Sequence, residues 1–126
     1  MKTSDFIKSV ELRESNDLEK IASRFQNIGT VRLVHAMIGM CTEAGEFQDM
    51  MKKHLMYGKE IDRTNLVEEL GDLMWYVGLA CSELGVSLDE VMAKNNAKLA
   101  ARYGDVFTEE AALNRNLNKE RKTLEE

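Results

Sequence analysis

The chain has 126 residues, of which 44% are hydrophobic, and a formal net charge of −5. This length suits one domain with a core rather than two domains, and the acidic balance argues against nucleic acid as a bulk partner. The absence of proline and the abundance of Leu, Ala, Glu, Lys and Met predict an all-α protein.

Membrane and secretory segments are not expected. The longest apolar run, Leu73 to Cys81, is far shorter than the roughly 20 residues that a membrane span needs. The N-terminus is charged from its second residue and does not resemble a signal peptide. We therefore expect a cytoplasmic protein without a membrane partner. Cys41 and Cys81 both lie in apolar helical surroundings, which predicts two buried thiols rather than a disulfide.

Two short helices are predicted at the start of the chain. Ser4 can cap a helix that extends to about residue 14, and Asn16 or Asp17 can cap a second helix that ends near residue 26. Gly29 and Thr30 are expected to interrupt the chain before the next helix begins.

A helical hairpin is predicted next, with one helix from about Val31 to Met56 and a second from about 62–64 to Leu84, where Gly85 stops it. The short connection favours antiparallel helices. Apolar residues repeat with a 4-3-4-3-4 spacing, which predicts one narrow seam on each helix. These residues are Leu33, Met37, Met40, Ala44, Phe47 and Met51 on the first helix, and Leu66, Leu70, Leu73, Val77, Ala80 and Leu84 on the second.

Two acidic pairs lie on the hairpin, Glu43 with Glu46 and Glu69 with Asp72. Residues at i and i+3 share one helix face, so each pair can offer oxygen atoms to the same hard cation. At about 100° per residue, both pairs turn in the same sense from their seams, which places them on one side of an antiparallel hairpin and at similar heights. Glu68 points away from this side. The pattern predicts a four-carboxylate metal site.

The same residues also allow an alternative to a metal site. The acids could instead be surface charges that pair with Lys52, Lys53 or Lys59, at about 0–1 kcal/mol per pair. Four unpaired carboxylates so close together would repel one another, which favours a bound cation. His35 and His54 do not follow the acids at the spacing of di-iron bundles. Mg²⁺ is therefore expected, with Mn²⁺ as an alternative.

Three glycines interrupt the hairpin helices: Gly39, Gly45 and Gly71. Each costs about 1 kcal/mol relative to alanine. Close helix contact or room beside the metal would explain them, and simple tolerance in a well-packed helix is the alternative.

The second hairpin helix is apolar on nearly every side between Leu73 and Cys81, since Trp75 and Leu79 point away from the seam. Such a helix must be covered on every side. We expect an oligomeric bundle built around the hairpin, either a homodimer or a dimer of dimers. The competing interpretation is that the N-terminal helices cover this surface.

A further helix is predicted from Ser87 to about Tyr103. Asn95, Lys98 and Arg102 are spaced i, i+3 and i+7 and so lie on one face. An amide and two cations placed in this way suit a polyphosphate tail, although charged stripes are usually solvated.

The C-terminal segment 108–126 reads as a charged helical tail, separate from a domain over residues 1–107. Its apolar stripe is thin and runs through Leu113, Leu117 and Leu124. Either a solvated, fraying end or an arm across a neighbouring subunit is consistent with this pattern.

Three segments resemble the MazG-like family of all-α nucleoside triphosphate pyrophosphohydrolases: HAMIGMCTEAGEFQDMMKK, EELGDLMWYV and NNAKLAARYGDVF. The shared pattern is E-x-x-E followed by E-x-x-D, within roughly residues 30–107. The resemblance implies that Glu43, Glu46, Glu69 and Asp72 bind magnesium. It also implies nucleotide contacts by Asn95, Lys98, Arg102 and Tyr103.

The resulting hypothesis is a Mg²⁺-dependent enzyme that cleaves a nucleoside triphosphate between the α and β phosphates, giving the monophosphate and pyrophosphate. Glu46 is the predicted general base because it lies farthest from the seam. Lys53, together with Lys52, would help to hold the phosphates. The alternative from another class is a non-catalytic assembly or regulatory module with a structural metal site.

Overall fold

The computed structural model describes residues 2–125, and within this range the chain forms seven helices and no strand. The helices are α1 (Thr3–Glu11), α2 (Leu18–Arg24), α3 (Ile28–Tyr57), α4 (Arg63–Leu84), α5 (Leu88–Tyr103), α6 (Glu109–Leu113) and α7 (Leu117–Glu125). The all-α prediction is confirmed.

Helices α3 and α4 form the predicted antiparallel hairpin. Three contacts follow opposite orders along the two helices: Arg32 with Glu83, Gly39 with Tyr76, and Asn65 with Met50. The ends of the helices follow local signals. Asp62 Oδ1 accepts the amides of the first turn of α4, and Gly58 and Gly85 end the two helices at φ values of 68° and 67°. These left-handed conformations favour glycine.

The first helices differ from their predicted bounds. Helices α1 and α2 each end earlier than expected, and α3 begins at Ile28 rather than near Val31. The reason is the side chain of Asn27, which accepts the Thr30 amide at 3.0 Å and so caps the helix one turn before the expected start. Gly29 is therefore part of α3 and does not break the chain.

The contact line between α3 and α4 follows the predicted seam only in part, since most seam residues are half-buried. The buried residues of α3 are Ala36 and Gly39, whereas Met37 and Ala44 of the predicted seam are exposed, as is Leu70 on α4. At Gly39 the absence of a side chain leaves room for the Tyr76 ring of α4. Part of the apolar stripe is consequently left on the outside of the hairpin.

Gly39 allows this close approach. A Cβ atom at this position would overlap the ring of Tyr76, so the predicted role in helix contact holds for Gly39. A Cβ atom at Gly45 or Gly71 would meet nothing within 4 Å. These two glycines are not required by packing within the chain.

We expect Gly39→Ala to lower the free energy of unfolding by about 1–3 kcal/mol, because the Tyr76 ring must move to admit the methyl group. Gly45→Ala is the matched control on the same helix. It should raise this free energy by up to about 1 kcal/mol, through helix propensity alone. Urea unfolding followed by circular dichroism measures both. Equal effects of the two substitutions would contradict the role assigned to Gly39.

The C-terminal segment contains two helices rather than one. Residues 114–116 separate α6 from α7, and Asn116 Oδ1 accepts the Lys119 amide at 3.0 Å as α7 begins. Helix α7 packs on α5, and Lys94 Nζ donates to the carbonyl of Leu124 at 2.8 Å. The tail is thus docked on its own chain, and a domain boundary at residue 107 stays a prediction.

Much apolar surface is exposed. Among residues 2–125, Ala36 and Cys81 are the buried hydrophobic residues, and Trp75 is 61% exposed. Cys81 is buried as expected, whereas Cys41 is exposed, so the prediction of a buried thiol is wrong for Cys41 in the single chain. Both cysteines are free. In the described part of the chain, no helix combines the length and apolar character that a membrane crossing requires.

Candidate metal and nucleotide site

Three carboxylates converge on one side of the hairpin. Glu43 of α3 and Glu69 and Asp72 of α4 each place an oxygen within 4.8 Å of the oxygens of the other two. The i, i+3 spacing on α4 brings Glu69 and Asp72 to one face, and the antiparallel packing brings Glu43 opposite them. Carboxylate oxygens are the donors that hard divalent cations prefer. This group could therefore hold a metal ion.

Glu69 is the buried member of this group, with 7% of its surface exposed. Burial is the largest cause of a raised pKa at this carboxyl, and the negative charges of Glu46 and Glu43 raise the pKa further. Burial and neighbouring acids both destabilise the ionised form of a carboxyl relative to its protonated form. A divalent cation would offset this repulsion.

Asn65 fixes the orientation of the Glu69 side chain. Its Nδ2 donates to Glu69 Oε1 at 3.1 Å and contacts Met50 Sδ at the same distance. Asn65 was not among the predicted site residues. Its position four residues before Glu69 on the same helix was the available signal, because i and i+4 side chains are neighbours.

Glu46 lies beside the three-carboxylate group rather than within it. It faces an open cleft of about 430 Å³, together with Glu69. It is close enough to raise the pKa of Glu69. The cleft is lined by Thr42, Gly45, Glu46, Asp49, Met50, Lys53, Asn65 and Glu69.

Lys53 also lines this cleft, where it is paired with an acid on its own helix. Its Nζ lies 2.6 Å from Asp49 Oδ2, and Lys52 Nζ lies 2.5 Å from Asp49 Oδ1. Hydrogen bonds from Lys52 and then Lys53 lower the pKa of Asp49 to about 2. These exposed i, i+3 and i, i+4 pairs are weak.

The predicted phosphate-binding residues of α5 lie apart from this cleft. Lys98 Nζ donates to Asn95 Oδ1 at 2.8 Å, as their shared face requires. Arg102 and Tyr103 are neighbours, and the guanidinium carbon of Arg102 is 5.4 Å from the centre of the Tyr103 ring. None of these four residues lines the acidic cleft. Helix α5 packs mainly on α6 and α7.

Comparison with known proteins identifies one family model. The model of the MazG nucleotide pyrophosphohydrolase domain matches residues 34–107, which include α4, α5 and most of α3. A curated relative, Gene 37 protein of Mycobacterium phage L5, is 36% identical over 74 residues. That match covers 56% of this chain and 65% of the relative's length. No solved structure matches the chain.

Proposed function

The chain belongs to the family of MazG nucleotide pyrophosphohydrolase domains, and from this membership we propose that it hydrolyses a nucleoside triphosphate between the α and β phosphates. The products are the nucleoside monophosphate and pyrophosphate. The observation that carries this proposal is the convergence of Glu43, Glu69 and Asp72 on one side of the hairpin. Hydrolysis of a phosphoric anhydride depends on charge neutralisation and on an aligned water more than on covalent catalysis.

The donor set fits Mg²⁺, because it consists of carboxylate oxygens and includes neither histidine nor cysteine. Glu43, Glu69 and Asp72 would hold the ion, with Mn²⁺ as a substitute. Glu46 is the fourth acid of the proposed site. Bound Mg²⁺ would neutralise charge on the phosphate oxygens and lower the pKa of a coordinated water.

The residues of the chain have separate proposed roles. Glu46 is the proposed general base, since it faces the cleft without belonging to the converging group and so retains a free carboxylate. Asn65 holds Glu69 in orientation. Lys53 supplies a positive charge to the phosphates from the same cleft. Asn95, Lys98, Arg102 and Tyr103 are the proposed further contacts to the nucleotide.

A homo-oligomer is part of the proposal. The single chain exposes 10331 Å², whereas a compact monomer of its mass exposes about 6,800 Å². The excess of about 3,500 Å² per chain is larger than the roughly 1,000–2,500 Å² that each partner typically buries in an obligate dimer. Because the α5 residues do not line the acidic cleft of the single chain, association would also allow a helix α5 to reach it. A homodimer or a dimer of dimers satisfies both requirements.

The test is a panel of common and modified ribo- and deoxyribonucleoside triphosphates incubated with the protein and Mg²⁺. We expect release of pyrophosphate from at least one substrate. Orthophosphate in place of pyrophosphate would indicate a different bond specificity. No release from any triphosphate would favour the second candidate, a non-catalytic helical module, which the exposed apolar surface of the hairpin also suits.

Mg²⁺ should also stabilise the fold. At a free concentration of about 100 times Kd, the ion is expected to add about 2.7 kcal/mol to the free energy of unfolding. The pKa of Glu69 is raised in the folded state. Without metal, the protonated Glu69 therefore contributes its full stabilisation below the ordinary pKa of 4.5, and this stabilisation is lost as the pH rises through the folded-state pKa.

The repulsion between the carboxylates grows as they ionise with rising pH, and bound Mg²⁺ would relieve it. At low pH, protons compete with the metal for the same carboxylates. Thermal unfolding with Mg²⁺ or with EDTA should differ more at about pH 8 than near pH 5. Asp72→Asn should remove most of this difference. A shift that is equal at both pH values would argue against binding through these carboxylates.

A further inference from the structure

The C-terminal helix α7 places a carboxylate on the guanidinium of Arg102. Glu120 Oε1 accepts from Arg102 Nε at 2.9 Å, and Glu120 Oε2 accepts from Nη2 at 2.6 Å. The two side chains are 6% and 14% exposed, respectively. The third nitrogen, Nη1, donates to the Tyr103 hydroxyl at 3.4 Å. Paired N–H groups in this arrangement bind carboxylates and phosphates alike. Arg102 therefore cannot present this fork to a phosphate while Glu120 is docked.

Glu120 is held from both sides. Arg115, in the connection between α6 and α7, donates from Nη2 to Glu120 Oε2 at 2.8 Å and from Nε to Oε1 at 3.3 Å. The hydrogen bonds from Arg102 and then Arg115 lower the pKa of Glu120 to about 2, so the carboxylate is ionised at neutral pH. Because Arg115 belongs to the tail, Glu120 can keep this cationic partner when it leaves Arg102.

The most buried contact of α7 is this charge cluster. Glu120 is the buried residue of α7, whereas Leu117 is 62% exposed. Lys94 adds a hydrogen bond to the Leu124 carbonyl at the other end of the helix. A ligand that replaces the carboxylate on Arg102 removes the buried part of this attachment and so shifts α7 towards the released state. The ligand that replaces a carboxylate on arginine most directly is a polyphosphate.

Resting on the proposed function, we propose that α7 is an intramolecular latch, in which Glu120 occupies the anion site of Arg102 until the triphosphate of the nucleotide displaces it. The apparent affinity for the triphosphate is then the intrinsic affinity multiplied by the fraction of molecules in which the latch is open. It also extends the nucleotide site beyond residues 34–107, which are the residues that the family model matches.

The test is titration calorimetry with inorganic triphosphate and Mg²⁺, because this probe does not depend on the base. Glu120→Gln, which keeps the size of the side chain and removes its charge, should bind inorganic triphosphate about tenfold more tightly than the wild type. Glu125→Gln is the matched control. Glu125 lies on the same helix and is paired with Arg121 at the surface, so loss of its charge should leave Kd unchanged. An unchanged or weaker affinity in Glu120→Gln overturns the latch.

A second measurement uses the wild type and does not depend on how the variant folds. Arg115 and Lys119 are exposed even while α7 is docked, but trypsin cleaves a flexible backbone more readily than a docked one. Release of α7 by inorganic triphosphate should therefore accelerate cleavage in the tail. Unchanged or slower cleavage overturns the latch. The substrate panel separates the two proposals. If pyrophosphate is released but inorganic triphosphate neither binds Glu120→Gln more tightly nor accelerates tail cleavage, the latch alone is wrong. Both triphosphate effects without pyrophosphate release remove the hydrolysis alone.

Discussion

Glu69→Gln is expected to lower kcat/KM for pyrophosphate release by about 10³-fold or more, because it removes the buried carboxylate from the proposed metal site. Glutamine has nearly the same shape and can still accept the hydrogen bond from Asn65. The loss should therefore appear as a loss of metal-dependent activity rather than as unfolding. Initial rates measured across a range of Mg²⁺ concentrations, together with circular dichroism of the variant, test this prediction.

The neighbouring acid provides the control for this substitution. Glu68 is exposed and is not part of the converging group, so Glu68→Gln should keep the wild-type rate within a few-fold. Comparable losses in both variants would mean that general negative charge, rather than a specific ligand, supports the reaction. A Glu69→Gln protein with full activity would remove the metal site from the mechanism.

Trp75→Glu is expected to have the largest effect on assembly. The Trp75 ring is 61% exposed in the single chain and stacks edge-on with Tyr76 at a centroid distance of 4.9 Å. Burial of such a tryptophan in a subunit interface typically contributes about 2–4 kcal/mol. Replacement by a charge should therefore weaken association by about 30- to 1000-fold. Sedimentation velocity over a range of protein concentrations measures this shift.

Leu113→Glu is the matched control for Trp75→Glu. Leu113 is 84% exposed at the end of α6, outside the apolar surface of the hairpin. Leu113→Glu should therefore leave the association constant unchanged. A wild-type protein that sediments as a monomer at all concentrations would contradict the proposed oligomer, whatever the variants do.

Local sequence patterns predict several features of the hairpin and its acidic residues. The caps at Asp62 and Ser87 and the stop at Gly85 follow from side-chain and backbone chemistry within a few residues, and the structure contains all three. The i, i+3 spacing of Glu69 and Asp72 is likewise local, because a helix fixes which positions share a face. The structure brings these two acids together with Glu43 from the other helix.

The contact line of the hairpin was only partly predictable from apolar spacing. A 4-3-4-3-4 pattern identifies an apolar stripe but does not say which partner covers it. Within this chain the helices close along Ala36 and Gly39 because the ring of Tyr76 fits there, and Met37 and Leu70 stay outside. Two neighbouring lines on one helix can each serve as a contact surface when more than one partner is present.

By itself, the sequence determined the all-α architecture, the antiparallel hairpin and the placement of acidic residues on one side of it, because helix periodicity and short-range capping act within a few turns. Tertiary structure alone decided that Glu69 is buried against Asn65, that Glu46 lies outside the converging group, and that Glu120 docks on Arg102. These features depend on the rotation of one packed helix relative to another and on contacts between distant residues. Neither of these is encoded in a local pattern.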